Sequence, residues 1–380
     1  MDYSQASLDK HKQFKGKIGI VSKFGPIVTR EDLSTAYTPG VAAVSKLLAV
    51  EPEKAYDYSI KSNAVAVVSD GSAVLGLGNI GPYGALPVME GKALLLKEFA
   101  GIDAYPIVLA TQDPDEVISI VKNIAPGFGG INLEDFSAPN CFYIEDKLKA
   151  ILNIPVMHDD QHGTAIVVLA ALINSLKLSG REAVTTKVTI CGSGAAGTAV
   201  SKLLYLFGVK DIIMVDSKGI ISKDRTDLND AKKEFLVFTN PQNLSGDLAT
   251  AVTSRDVFIG VSGPNLLTPE MVKRMASKPI IFAMANPVPE IDPQVAKEAG
   301  AFIIGTGRSD YPNQINNVLA FPGVFRGALD HRVTKITDDM KLAAALALAS
   351  YLPDSELSVD KILPSPLDKG VVAVIAAVIR

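Results

Sequence analysis

Short apolar runs alternate along the chain with longer stretches in which apolar residues recur three and four positions apart. That is the signature of strands alternating with helices. Ala64-Val65-Ala66-Val67-Val68 predicts a buried strand that stops at Ser69-Asp70-Gly71. Tyr105 to Leu109, Gly130 to Leu133 and Ile154 to Met157 predict three more, with a helix from Asp115 to about Asn123 after the first of them. A long helix is expected from Gly163 to about Leu178. A second series begins at Val188-Thr189-Ile190. It runs through helical spacing from Ala195 to Phe207 and a strand from Asp211 to Val215. Later strands are expected at Val257-Phe258-Ile259, at Ile280 to Ala283 and at Phe302-Ile303-Ile304, with a final Ala- and Leu-rich helix from Asp338 to Tyr351. The pattern predicts an α/β fold, with a C-terminal doubly wound parallel sheet of the Rossmann type and a smaller N-terminal α/β domain. The division is expected near Ile154, giving a substrate and catalytic domain over 1–153 and a dinucleotide domain with C-terminal helices over 154–380.

Length agrees with two domains, since 380 residues exceed one ordinary core of about 150. With 48% apolar residues, disorder as the main state is excluded. Lys and Arg number 37 against 41 Asp and Glu, a net charge of −4, which disfavours a nucleic-acid partner. Cys141 and Cys191 are too few for a disulfide framework and fit a reducing compartment. The first sixteen residues lack an apolar signal core, and runs such as Ala165 to Ile173 and Val371 to Ile379 fall short of the roughly 20 residues that span a bilayer. The expectation is a cytoplasmic protein acting on a small molecule, without a membrane partner.

Gly192-Ser193-Gly194-Ala195-Ala196-Gly197 fits G-x-G-x-x-G. Alone the pattern is weak, but here it follows a predicted strand and opens a predicted helix. Asp216 also ends the next strand, 19 residues after Gly197. In such a unit the glycines allow a tight turn, close approach to a pyrophosphate, and helix–strand packing. The helix N-terminus favours phosphate, and the acid takes the adenine ribose hydroxyls. Val261 and Ser262, just past a later strand, are counted with the cofactor-binding positions. Asp216 favours NAD, while Ser217, Lys218 and Lys232-Lys233 leave a 2′-phosphate, hence NADP, open. A second match, Gly76-Leu77-Gly78-Asn79-Ile80-Gly81, lacks an acid at the end of its next strand and is followed by Pro82. The residue before proline is pushed out of the helical region. This match is read as a close-packed turn near the site.

Two acidic pairs, Glu134-Asp135 and Asp159-Asp160, fall at predicted carboxyl ends of strands. Ligands of open α/β sheets gather at that edge, and oxygen ligands suit Mg²⁺ or Mn²⁺. Helix capping is the competing explanation for either pair. His158 and His162 straddle the second pair, but the sequence lacks the glutamate of a zinc His-Glu-x-x-His motif there.

Several blocks make the chain recognisable. They are Tyr37-Thr38-Pro39-Gly40-Val41-Ala42, Asp70 through Gly81, Gly91-Lys92, Asn132-Leu133-Glu134-Asp135-Phe136, and Asp159-Asp160-Gln161-His162-Gly163-Thr164-Ala165. Asp216-Ser217-Lys218-Gly219, Ala285-Asn286-Pro287, and Asn316-Asn317 before Phe321-Pro322-Gly323 follow in the same order. With them the chain resembles malic enzyme, in its short prokaryotic form, over nearly its whole length. The resemblance implies oxidative decarboxylation of (S)-malate to pyruvate and CO₂ with reduction of NAD(P)⁺ and a divalent metal. It implies Glu134, Asp135 and Asp160 as metal ligands, Lys92 as general base, Tyr37 as general acid and Asp159 as support for the lysine. Asn286 and Asn317 match asparagines that hold substrate carboxylate and nicotinamide.

For Lys92 to take a proton it must be neutral, so a cation and burial are expected to depress its pKa. The alternative activity is that of a malolactic enzyme, which releases lactate and retains NAD. A homodimer is expected on the same analogy, with Tyr37 supplied by the neighbouring subunit. The chain departs from larger family members at Ala73, where they carry an arginine. Arg308 and Arg326 are candidates for its task.

Overall fold

The computed structural model describes residues 3–380. Its first sheet contains β1 (Ala64–Ser69), β2 (Asp103–Val108), β3 (Gly130–Leu133) and β4 (Val156–His158), in the order β2-β1-β3-β4. All its pairings are parallel. Strands β1, β3 and β4 are buried along their whole length. Parallel strands covered on both faces need apolar side chains on both, and so appear as continuous apolar runs.

The second sheet contains β5 (Lys187–Cys191), β6 (Asp211–Asp216), β7 (Gly219–Ile220), β8 (Val257–Gly260), β9 (Ile280–Ala283) and β10 (Ile303–Thr306). Its order is β10-β9-β8-β5-β6-β7. Every pair is parallel except the antiparallel β6–β7 edge. The chain runs outward from β5 to β7, then returns to β8 on the other side of β5. The crevice between β5 and β8 is therefore a topological switch point, where doubly wound sheets bind ligands.

The helix Asp159–Ser179 joins the two sheets. Every position from Ala165 to Leu172 is buried, so this helix has no polar face over two turns. It packs against helices Ala195–Phe207 and Asp338–Tyr351, and one apolar core runs from β1 through it to β5 and β8. By length and composition it could cross a bilayer; protein covers it instead. Asn174, fully buried within it, donates to the carbonyls of Ala349 and Ile362 at 2.9 Å. The helix begins four residues earlier than expected, at Asp159. The strand before it, β4, pairs with β3, so by hydrogen bonding the first sheet runs past the expected division at 153/154, as far as His158.

The segment before β1 is built differently. It holds helices Tyr3–Phe14, Arg30–Ala36 and Val41–Val50, and among the described residues none before Ala64 is fully buried. Ile20 and Phe24 are 89% and 78% exposed. Polar contacts tie the segment to the first lobe. Lys17 donates its backbone N–H to Glu90 and its ammonium to the Pro87 carbonyl, and Lys23 pairs with Asp103.

Candidate active site

The register of the first sheet sets Leu133 opposite His158, so both acidic pairs emerge side by side at its carboxyl edge. Asn132, fully buried, donates to Glu134 Oε2 at 2.8 Å and orients that carboxylate. Asp135 turns the chain with a φ of +58°, and its backbone N–H donates to Asp160 Oδ2 at 2.8 Å. Oxygens of Glu134, Asp135 and Asp160 lie within 4.8 Å of one another. Asp135 Oδ2 is buried without a hydrogen-bond partner. Burial, then the charges of Asp160 and Glu134, push Asp135 up to about 9. Burial also raises Glu134 and Asp160. Three crowded carboxylates, one with an orphaned oxygen, are a donor set that a hard divalent cation fits.

Lys92 reaches the same place from the helix Gly81–Ala100. Its Nζ lies 2.7 Å from Asp159 Oδ2, 2.8 Å from Glu134 Oε1, and 4.2 Å from the centre of the Phe321 ring. Burial by itself lowers its pKa, but Asp159, Glu134 and Asp160 outweigh that and hold it above the ordinary lysine value. This reverses the direction expected for a base poised to act. The cause is three anions around one cation. Burial raises Asp159 to about 7, with Lys92 opposing. Glycine is required at position 163: a Cβ there would lie 1.8 Å from Asp159 Oδ1 and 3.2 Å from Asn317 Cβ.

A cavity of about 490 Å³ connects these groups with the second sheet. Lys92, Glu134, Asp135 and Asp160 line one side; Gly194, Ala195, Ala196, Val261, Ser262, Asn286 and Asn317 line the other. Gly192 has a φ of +118°, and a Cβ on Gly197 would lie 1.9 Å from the Gly192 carbonyl oxygen, so turn and helix pack as the fingerprint demands. Gly194 faces open space, where a pyrophosphate can approach. Val261 follows β8 directly across the switch point from Gly192. Ser193 lies in the same loop, and Ser217 in the turn after β6, beside Asp216.

The second glycine pattern is a tight turn, as expected. A Cβ on Gly76 would sit 1.9 Å from the Asn286 carbonyl oxygen, so this turn closes against the opposite wall of the cavity. Gly81 has a φ of +70°, out of the helical region before Pro82, and the helix starts there.

Other expected groups stand elsewhere. Tyr37 is 67% exposed and does not line the cavity. Arg308 pairs with Asp310 on the surface, and Arg326 pairs with Asp330 and donates to Asn63; neither reaches the cavity. Among the described residues Lys92 is the only lysine or arginine lining it. His162 binds Glu145 at 2.9 Å, while the buried His158 makes no ring hydrogen bond and lies with Nε2 3.5 Å from Asp160 Oδ2, so the pair does not converge on a zinc site.

Sequence reasoning missed Glu290. It is fully buried and accepts from Ser262 N–H at 3.0 Å and Ala285 N–H at 3.1 Å, tying together the loops after β8 and β9. Burial raises its pKa. Its only signal was a charged residue placed shortly after Asn286-Pro287.

Comparison with known proteins shows the family to which both lobes belong. Residues 20–149 match the family described as malic enzyme, N-terminal domain, and residues 161–379 match malic enzyme, NAD binding domain. A bifunctional malic/malolactic enzyme of Bacillus subtilis is 55% identical over 99% of this chain and 92% of its own length. An NAD-dependent malic enzyme of Geobacillus stearothermophilus is 58% identical over 94% of this chain and 74% of its own. The crystal structure of an NAD-dependent malic enzyme from Thermotoga maritima superposes with a TM-score of 0.95 at 53% identity, covering 98% of each chain. Glu134 and Asp135 lie within the first match, Asp159 and Asp160 between the two, the glycine loop within the second, and the chain belongs to the malic enzyme family.

Proposed function

We propose that the chain oxidises (S)-malate and decarboxylates the product to pyruvate and CO₂, with a dinucleotide and a divalent cation bound in the cavity. The observation that carries this reading is Lys92, buried between Asp159 and Glu134 beside the Glu134/Asp135/Asp160 cluster, in the same cavity as the glycine loop. The bound nicotinamide would accept hydride from C2, and a cation held by Glu134, Asp135 and Asp160 would supply Lewis acidity at the substrate oxygens.

The chain's own residues do the rest. A cation held by Glu134 and Asp160 would offset two of the three anions that keep Lys92 protonated; as the neutral amine Lys92 takes the C2 hydroxyl proton as hydride leaves, and Asp159 holds the resulting ammonium in place. Asn286 and Asn317, on the opposite wall, donate to the substrate carboxylate and the nicotinamide amide. When the C3–C4 bond breaks and CO₂ leaves, a proton must reach C3 of the enol. Tyr37 matches the family's acid for that step. Its exposure, together with the apolar surface of its segment, supports a homodimer in which a second copy brings Tyr37 to the site.

A second reading is malolactic activity, favoured by the name of the Bacillus subtilis relative. Pyruvate and reduced cofactor produced together from malate, with loss of turnover in chelator and recovery on adding Mg²⁺ or Mn²⁺, are the expected result. Lactate in equal amount to malate consumed, with no net reduced cofactor, would replace the first reading by the second.

A further inference from the structure

Asp159 and Asp160 have few partners of their own. Asp159 Oδ2 meets Lys92, while its Oδ1 is buried without a hydrogen bond. Asp160 takes the Asp135 N–H through Oδ2. These two carboxylates crowd against those of Glu134 and Asp135 with one ammonium, Lys92, among them, so they repel one another. They sit in the first turn of the helix Asp159–Ser179, and His158 at its N-cap supplies no side-chain acceptor. A hold from outside the helix is needed to keep this turn in place.

Glu145 supplies it. It stands on the neighbouring helix Asn140–Ile151 and is buried. Its Oε1 accepts the His158 backbone N–H at 2.9 Å, and its Oε2 takes His162 Nε2 at 2.9 Å and Gln161 Nε2 at 3.4 Å. A carboxylate only accepts, so the proton of His162 sits on Nε2. These three residues bracket Asp159 and Asp160. One side chain thus grips the turn on both sides of the acids and leaves the acids themselves to Lys92 and the cluster.

Lys149, one turn along from Glu145, pairs with Oε1 at 2.7 Å. Burial works against the Glu145 charge, but His162 and Lys149 outweigh it and hold the carboxyl well below the usual carboxylate range. The anchor therefore stays an acceptor on both oxygens. Its charge also lies at the positive end of a 21-residue helix.

We propose that Glu145 is a positioning residue. It pins the turn at His158 so that Asp160 meets Glu134 and Asp135, and Asp159 meets Lys92. It acts through these residues, since it does not line the cavity. The inference rests on reading Glu134, Asp135 and Asp160 as ligands of the cation. Groups that hold a metal's ligands from behind typically govern its affinity by about ten- to a hundredfold. The hold depends on reach. Glutamine keeps an oxygen for His158 N–H and Lys149, and its amide N–H₂ meets a His162 ring that accepts in its other tautomer. Aspartate keeps the charge but falls one methylene short.

The test is titration of the full chain with Mn²⁺, read from the electron paramagnetic resonance of the free ion, for the unaltered protein, Glu145→Ala, Glu145→Asp and Glu145→Gln. Calorimetric binding of 5′-AMP, the adenylate half of a dinucleotide, reports that each variant is folded. Mn²⁺ affinity should fall about tenfold or more in Glu145→Ala and Glu145→Asp and stay within about threefold in Glu145→Gln. Affinity for 5′-AMP should hold throughout, which a mere brace between helices would not separate from the cation. If Glu145→Ala does not fold, the contrast of Glu145→Asp with Glu145→Gln decides alone. Unchanged Mn²⁺ affinity in Glu145→Asp, a loss as large in Glu145→Gln, or equal losses of Mn²⁺ and 5′-AMP binding would overturn the proposal. An unaltered chain that binds no Mn²⁺ would instead remove the cation reading itself, and this inference with it, so the two failures are told apart.

Discussion

Gly163 and Asp159 are one helical turn apart, and the space a Cβ on the first would fill is taken by the carboxylate of the second, 1.8 Å away. The Asp159 side chain is therefore folded back over its own helix, which leaves its other oxygen 2.7 Å from Lys92. Gly163→Ala is expected to push Asp159 off Lys92 and cut kcat about ten- to a hundredfold. Affinity for 5′-AMP, which reads the glycine-loop half of the cofactor site, should change little, because that loop is built on another strand; Asn317, 3.2 Å from the added Cβ, lies on the other half. Steady-state kinetics with a parallel 5′-AMP titration measure both. An unaltered kcat would refute the positioning role.

Lys92→Ala removes the only lysine or arginine that lines the cavity among the described residues. Turnover should fall by about 10²–10⁴, the usual weight of a general base, while dinucleotide binding, followed by fluorescence quenching, persists. Undiminished turnover would sink the assignment.

Glu290 predicts a different signature. Glu290→Ala leaves the N–H groups of Ser262 and Ala285 without their acceptor in a part-buried place that water can reach. A loss of about 1 kcal/mol in thermal or denaturant unfolding is expected, the low end of the range for an unsatisfied group. KM for the dinucleotide should rise more than kcat falls, since both loops face the cofactor side of the cavity. A pure stability loss with unchanged KM would show that Glu290 only holds the fold together.

Tyr37 is tested by mixing. Tyr37→Phe and Lys92→Ala chains, each inactive alone, should recover about a quarter of the unaltered activity when combined. Random pairing in a two-fold dimer leaves that share of sites with both groups. No recovery in a mixture that exchanges subunits would place the acid elsewhere.

Asp103 gives a pH dependence. Burial opposes ionisation there, but donors from Lys97, Asn63 and Lys23 hold the carboxyl down at about 2. A carboxyl depressed on folding adds stability above its unfolded pKa of about 3.9, and that stability is lost as pH falls through the folded value. The acid limb between about pH 4 and pH 2 should flatten in Asp103→Asn. The effect should be near 1 kcal/mol, because its partners Lys23 and Lys97 are largely exposed and the pairs are screened. Identical unfolding midpoints for both proteins across that range would count against it.

The pattern of apolar runs was enough to read an α/β chain with parallel strands, the glycine loop on β5, and acidic pairs at strand ends. Each of these is local: a strand buried on both faces must be apolar throughout, and a turn that approaches a phosphate must be glycine. The family, too, was legible, because its blocks are contiguous. What sequence could not order was anything between elements. Whether β4 belongs to the first sheet depends on hydrogen bonds to β3, not on the residues of β4. Whether Lys92 meets Asp159, Tyr37 stays outside, and Glu145 reaches the turn at His158 depends on where separate helices and loops come to rest. Side-chain chemistry is written residue by residue, but charge, burial and reach are properties of neighbours, and only the tertiary structure chooses those.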